Sequence, residues 1–405
     1  MRVLHTADWH LGRKLEQFDR TNEHQDFLDW LIKTLTSEKI DVLIVAGDIF
    51  DSGSPSNTAL QQYYQFLSQV KDTHCRDVVI IGGNHDSVGT LHAPKELLRH
   101  FNVHIVGGVP EQFENQIIPI YNEKKELGLV VCAVPFLRDK DIRLSVSGET
   151  TEEREARIKK GIVDHYQNLV EHITLHKSNN VPVIATGHLF AAGASTSEGV
   201  KDIHVGNLGQ VGGDQFPIEF NYIALGHLHR PQLVNKMGHV RYSGSPIPLS
   251  FSEADHPKLV IVIDFNKDGK VEEIEVPCCR KLIRLSGTLD NIRRQILLLE
   301  DEGRVYPPWI ELKIETDAPI PDLLEQLDTL KAQRPFIGEF FPRQRVVHQA
   351  RQLNELTDLT TALSDLDPTA VFIKKCESVF PGTDHSELLG TFKEALEAMQ
   401  QEERP

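Results

Sequence analysis

Five short apolar runs in this chain break off into the same kinds of residue: HTADWH, VAGDIFD, IGGNHD, ATGH and ALGHLH. The polar residues set off this way are Asp8, His10, Asp48, Asn84, His188, His227 and His229, with His85 and Asp86 beside Asn84. Imidazole, carboxylate and amide without thiolate suit manganese, iron, zinc or nickel, and plentiful oxygen ligands tilt the choice toward manganese. Seven such ligands are more than one tetrahedral ion takes, which favours a binuclear site. Two cations about 3.5–4 Å apart can activate a water and stabilise the oxygens of an in-line displacement at phosphorus. The chemistry indicated is phosphoester hydrolysis.

No single motif is decisive. A lone D-x-H is more often a capped turn or a surface pair, and GD after a strand is weaker still. GNHD says more, because asparagine and histidine beside a Gly-Gly turn have little use in packing. GHLH is stronger, since two near-adjacent histidines after an apolar strand make a poor core. The combination carries the reading, each piece closing a strand. His5, inside the first apolar run, reads as a hydrogen-bonded core histidine.

Elements that could bring these residues together follow from hydrophobic periodicity. Residues 2–6 and 41–46 are short apolar runs, the second nearly continuous and β-branched, as in a strand covered on both faces. Further strands are expected at residues 78–81, 129–134, 181–185, 222–225 and 259–264. Phe27, Leu28, Leu31, Ile32 and Leu35 fall at helical spacing, as do Leu60, Tyr63, Tyr64, Leu67 and Val70. Residues 151–176 read as a charged helix. The fold class is α/β, with helices layered around a sheet or pair of sheets. Open α/β sheets gather ligands at the carboxyl ends of their strands, so residues distant in sequence can meet at one rim. Asp8 and His10 are two apart, as are His227 and His229, so each pair is expected to face one side of a strand end.

Bulk properties limit what such a rim can serve. The chain has 405 residues and a formal charge of −16, a poor basis for coating nucleic acid non-specifically. Two divalent cations against Asp8 and Asp48 would still make a locally positive centre. Cys75, Cys132, Cys278, Cys279 and Cys376 form no CxxC pair, which leaves no zinc-thiolate site and suits a reducing compartment. The N-terminus lacks a signal-peptide pattern and no apolar run has membrane-spanning length, so the expected location is cytoplasmic.

After residue 277 the sequence changes character. Strands at residues 281–285, 309–314 and 336–341 alternate with helices bearing Leu289, Ile292, Ile296 and Leu297, then Leu323, Leu324, Leu327 and Leu330. Asp367-Pro368 reads as a helix cap followed by proline at the first helical position. Phe372, Cys376 and Phe380, then Leu388, Leu389, Phe392, Ala395, Leu396 and Met399, form two apolar stripes that could pack on the core or dock a partner.

In this order, D-x-H, GD, GNH[DE], H and GHxH resemble the calcineurin-like metallophosphoesterase family. The longer stretches HTADWHLG, VAGDIFDSGSPS, GGNHDS, ATGHL, ALGHLHRPQ and YSGSPIPLSFSE are similar to its bacterial double-strand-break repair nuclease subunits over essentially the whole chain. The resemblance implies a layered metallophosphoesterase fold spanning residues 1–277, a small α+β capping domain at 278–345 and a helical partner-binding region at 346–405. It implies one manganese on Asp8, His10, Asp48 and His229, and a second on Asp48, Asn84, His188 and His227, with magnesium or another divalent ion as substitutes. His85 would act as acid, oriented by Asp86. Some archaeal relatives carry a histidine where this chain has Asp51, so that residue's role does not transfer. The implied activity is 3′→5′ exonuclease on duplex DNA ends and endonuclease on hairpins and single strands, in repair, replication and recombination. The implied partner is an SbcC-like ATPase of the SMC type, with the chain as a homodimer within a heterotetramer, nucleoid-associated when on DNA. Leu60, Tyr63, Tyr64 and Leu67 are candidates for the dimer face, a core role being equally consistent with their spacing. The competing readings are a phosphatase or cyclic-nucleotide phosphodiesterase acting on a small molecule, and a non-catalytic scaffold. The long extension weighs against the first and the filled ligand set against the second.

Overall fold

Val42–Ala46 is buried at every position, and its alternating side chains have two sets of partners. Leu43 and Val45 pack with Phe27, Leu31, Tyr63 and Phe66 from two helices, whereas Val42, Ile44 and Ala46 pack with Ile118, Val131, Ile184 and Tyr222 from a second sheet. A strand sandwiched in this way loses the polar alternation of a half-exposed one, which is why its sequence is continuously apolar. The computed structural model describes residues 1–142, 149–173, 181–191 and 211–346, and single residues 369, 372, 373, 376, 388, 389, 391 and 392.

Five strands matter for the site: β1 (Arg2–Thr6), β2 (Val42–Ala46), β3 (Asp77–Ile81), β4 (Val183–His188) and β5 (Tyr222–Gly226). The first six-stranded sheet runs Lys270–Glu275, Leu259–Asp264, β1, β2, β3, Val103–Val106. Its β1–β2 and β2–β3 pairs are parallel. The second runs Gln232–Val234, Met237–Tyr242, β5, β4, Leu127–Cys132, Ile117–Tyr121, with β4 and β5 parallel. Helices α1 (Thr21–Ser37) and α2 (Asn57–Val70) cover the outer face of the first sheet, and α3 (Thr151–Ile173) that of the second. The layers are therefore α/β/β/α, with a predominantly apolar interface between the sheets.

The helical stripes divide between core and surface. On α2, Tyr63 and Leu67 are buried and Leu60 is partly so, while Tyr64 is 37% exposed. Of the four side chains proposed from sequence for a dimer face, then, Tyr63 and Leu67 belong to the core and Leu60 packs against it. His5 is the buried histidine its setting suggests, with Nδ1 3.1 Å from the Tyr222 hydroxyl.

The chain divides into two compact units. The first comprises Met1–Arg284, Asp301–Ile310 and Phe336–Glu339; the second takes in Leu285–Glu300, Glu311–Pro335 and the described residues from Phe340 onward. A three-stranded sheet of Arg280–Gly287, Tyr306–Thr316 and Glu339–Val346, with Tyr306–Thr316 central, alternates along the chain with helices Leu289–Leu298 and Leu323–Gln333. The last strand starts later than its apolar residues suggest. Gly338 N instead donates to the Pro308 carbonyl, and Ile337 is buried in the approach to the strand. In the C-terminal stretch, Phe372 and Phe392 stack with ring centroids 4.1 Å apart and Cys376 is buried. Asp367, Pro368, Phe380, Ala395, Leu396 and Met399 lie outside the described residues. Among the described residues no helix is long and apolar enough to cross a membrane.

Candidate metal centre

Parallel pairing of β1 with β2 continues beyond the strand ends. Asp8 N donates to Gly47 O at 3.0 Å, His10 N to Asp48 O at 3.0 Å and Leu11 N to Ile49 O at 2.9 Å. Asp8, His10 and Asp48 have φ of 54°, 47° and 49°, and His227 has 99°. Non-glycine residues with positive φ are uncommon and tend to mark functional sites. Asp8 and His10 do lie close together, as their spacing suggests, but strand alternation is not what places them. Both lie past the strand, turned inward by left-handed backbone.

Other bonds tie the remaining loops to this pair. Asp48 Oδ1 accepts from His85 N at 2.9 Å, and Asp8 Oδ1 accepts from His227 N at 2.8 Å. His188 Nδ1 donates to Ala46 O at 3.0 Å, joining the two sheets and fixing that ring's tautomer. A Cβ at Gly83 would collide with the Asp48 carboxylate, so this position needs glycine for close approach.

All seven predicted ligands gather on this rim, and all but Asn84 are buried. Ligand atoms of Asp8, His10 and His229 lie within 4.8 Å of one another, as do those of Asp8, Asp48 and His188. His188 Nε2 is 3.3 Å from Asp48 Oδ2 and 3.0 Å from Asn84 Oδ1, and His227 Nδ1 is 3.3 Å from the same Asn84 oxygen. His10 Nε2 is 3.4 Å from Asp48 Oδ2.

Charge is poorly balanced without a cation. Burial pushes the Asp8 carboxyl up against the pull of His188 and His229. It pushes Asp48 up as well, but His188, aided by His10 and His85, holds it well below the usual carboxylate range. Burial disfavours a charged His188, yet Asp48 raises it to about 9. His227 is driven well below its ordinary value by burial and by His188. Asp8 Oδ2 is buried with no hydrogen-bond partner, and neither ring nitrogen of His10 makes a well-formed hydrogen bond. Buried polar atoms are ordinarily satisfied. Orphaned donor atoms on clustered carboxylate and imidazole are what divalent cations would complete, so the residues fit a binuclear N/O site.

Asp86 departs from expectation. Its Oδ2 accepts from Gly83 N at 2.9 Å and Ile49 N at 3.1 Å, and its Oδ1 from Phe50 N at 3.0 Å. It braces the loop after β2 against the loop after β3. The His85 ring has another anchor, Nδ1 donating to the Asp51 carbonyl at 2.7 Å. Sequence reasoning also passed over two carboxylates. Asp51 Oδ1 lies 3.3 Å from His10 Nδ1 and 2.9 Å from Arg13, and Glu253 Oε1 accepts from His229 Nδ1 at 3.0 Å. An acid ending the Gly-Ser-Pro-rich text YSGSPIPLSFSE was the available signal for Glu253.

Two stacked sheets with Asp, Asn and His at the carboxyl ends of five strands define a calcineurin-like phosphoesterase, and residues 1–231 match that family. Residues 278–380 match a second family, SbcD_C, described as type 5 capsule protein repressor C-terminal domain. The chain is 39% identical to the SbcD subunit of the nuclease SbcCD from Escherichia coli (strain K12), over 93% of this chain and 92% of that one. It is 32% identical to the corresponding SbcCD nuclease subunit from Bacillus subtilis (strain 168), over 83% and 84%. The chain belongs to the SbcD family of metallophosphoesterases.

Proposed function

We propose that this chain is the nuclease subunit of a two-protein DNA-processing complex, a manganese-dependent phosphodiesterase acting with an SbcC-like ATPase of the SMC type. The observation that carries the proposal is the convergence of seven N/O ligands and His85 on one rim, in a chain related along its length to nuclease subunits. Asp8, His10, Asp48 and His229 would hold one cation, and Asp48, Asn84, His188 and His227 the other. Bound there, the cations would supply the charge that activates water and stabilises phosphate oxygens in the transition state.

The chain's own residues set the geometry for this chemistry. The Ala46 carbonyl and Glu253 each accept a hydrogen bond from Nδ1–H, of His188 and His229 respectively, and so leave Nε2 of both rings as a lone-pair donor. The Asp51 carbonyl accepts a hydrogen bond from His85 Nδ1–H and so orients the ring; in its doubly protonated form the ring carries a second proton on Nε2, which it would deliver to the leaving oxygen. Asp86 keeps Asp48, Asn84 and His85 in register by bonding the backbone of both their loops.

The substrates proposed are duplex DNA ends, degraded 3′→5′, and hairpins or single strands, cut internally. Residues 1–277 form the nuclease domain, 278–345 a capping domain that orients DNA, and 346–405 the docking region for the ATPase. The stacked Phe372 and Phe392 support a paired-helix docking element. The chain would work as a homodimer within a heterotetramer, in the cytoplasm on the nucleoid. Tyr64, Leu97 and Phe101, which are 37%, 63% and 52% exposed, offer apolar area for self-association. A direct test offers the purified complex linear duplex DNA, a hairpin, p-nitrophenyl phosphate and a cyclic nucleotide in manganese. DNA cleavage that His85→Ala and Asp48→Ala abolish is expected. Cleavage of the small molecules alone would favour a phosphatase or cyclic-nucleotide phosphodiesterase, and DNA cleavage surviving Asp48→Ala would overturn the site assignment.

A further inference from the structure

Residues 242–253, YSGSPIPLSFSE, give the proposed centre no ligand, yet their course is built around one ligand, His229. Gly244 has φ +73° and packs so closely on the backbone that a Cβ there would lie 2.7 Å from His229 O. Ser245 N donates to that same carbonyl at 3.2 Å. The segment then returns through a turn at Phe251–Glu253, bringing the fully buried Glu253 beside the His229 imidazole.

All of the carboxylate's surroundings are specific. Oε1 accepts the His229 Nδ1 proton at 3.0 Å. Oε2 accepts from Leu249 N at 3.2 Å and from Lys258 Nζ at 2.5 Å, and the Ser245 hydroxyl lies 3.1 Å from it. Lys258 is 6% exposed, and its ammonium also donates to His229 O at 3.2 Å and Ser245 Oγ at 2.8 Å. His229 is thereby gripped twice, at the ring through Glu253 and at the backbone through Lys258. Burying an ion pair seldom adds net stability over apolar packing, so a stabilising role alone does not account for this pair.

We infer that Glu253 and Lys258 are positioning residues for the cation held by Asp8, His10 and His229. Glu253 holds His229 in its Nδ1–H tautomer, so that Nε2 carries the lone pair. Lys258 holds the carboxylate in place and pins the ligand's backbone. A carboxylate on the far nitrogen of a metal-binding imidazole sets both tautomer and ring orientation. This inference rests on the binuclear reading above and names two residues that serve one of its sites.

Glu253→Gln keeps the side-chain volume but cannot satisfy both neighbours. With the amide oxygen toward His229, its NH2 opposes the Lys258 ammonium; turned round, it donates to Nδ1 and forces the other tautomer. Lys258→Met removes the charged neighbour and leaves Leu249 N as the fixed backbone donor facing the NH2, so the double variant Glu253→Gln/Lys258→Met restores the amide oxygen to His229 in part. The test is manganese titration calorimetry on the full chain, together with 15N NMR of the metal-free protein's histidines, the His229 signal being assigned by its loss in His229→Gln. Wild type is expected to fill two sites and show the Nδ1–H tautomer at His229. Glu253→Gln is expected to weaken one site roughly 10–100-fold, to spare the other and to disturb the tautomer, and the double variant to recover part of both, since Leu249 N still opposes the amide NH2 and the Lys258 bond to His229 O is gone. A folded Glu253→Gln with unchanged affinities and tautomer would overturn the inference. So would equal weakening of both sites with a lowered Tm and no recovery in the double variant, which marks a purely structural role. If wild type takes up fewer than two cations the binuclear reading fails, and the tautomer comparison still decides the part assigned to Glu253.

Discussion

Replacing Asp86 with asparagine separates bracing of the site from direct action on His85. The carboxylate accepts three backbone N–H bonds at 2.9, 3.0 and 3.1 Å, two on Oδ2 and one on Oδ1. An asparagine with its carbonyl at the doubly bonded position keeps two of them and turns its NH2 against Phe50 N. One unsatisfied backbone donor costs about 1–3 kcal/mol, and the two retained bonds lose the strength their charge gave them. The expected loss is about 3 kcal/mol, which lowers Tm by about 6–12 °C in a domain of this size. The braced loops carry Asp48, Asn84 and His85, and a displacement of about 1 Å costs about 10²-fold in rate. Scanning calorimetry and DNA turnover, measured well below the variant's Tm, test both effects. Turnover lost with Tm unmoved would restore a direct hold of Asp86 on His85. Neither quantity changing would refute the bracing argument altogether.

Other expectations follow from particular contacts. Gly83→Ala drives a methyl group into the Asp48 carboxylate, so manganese titration should show affinity lost from a folded protein; wild-type binding would contradict the packing. Burial pushes His165 down to about 4, below its usual 6.5, so unfolding takes up a proton between those values. Its contribution is complete above pH 6.5 and is lost as pH falls toward 4, about 3 kcal/mol in all. Urea unfolding against pH should show this slope flattened in His165→Gln, and an unaltered slope would remove His165 from the account. Truncation before Asp367 should spare manganese binding and abolish association with the SbcC-like ATPase, whereas co-purification of the shortened chain would contradict the docking role.

The candidate cluster was legible in sequence because its residues are misfits where they stand. A strand covered on both faces, such as Val42–Ala46, is uniformly apolar, so an aspartate or histidine at its end stands out. What stayed hidden depends on backbone conformation or on long-range contact. Asp8 and His10 converge through positive φ, which no spacing rule encodes. Asp86 sits next to His85 in sequence, yet its carboxylate bonds the backbone of residues 49 and 50 on another loop. Helical spacing on α2 could not tell core from surface, because buried Tyr63 and half-exposed Tyr64 are equally apolar. Glu253 and Lys258 lie 24 and 29 residues beyond His229, and only the return of the chain beneath that ligand gives them a role.

The most direct measurement is anomalous diffraction at the manganese edge from crystals of the chain grown with manganese. Two peaks are predicted, one bounded by Asp8, His10, Asp48 and His229 and the other by Asp48, Asn84, His188 and His227. A single peak, or density away from these side chains, would contradict the binuclear centre on which the proposed nuclease depends.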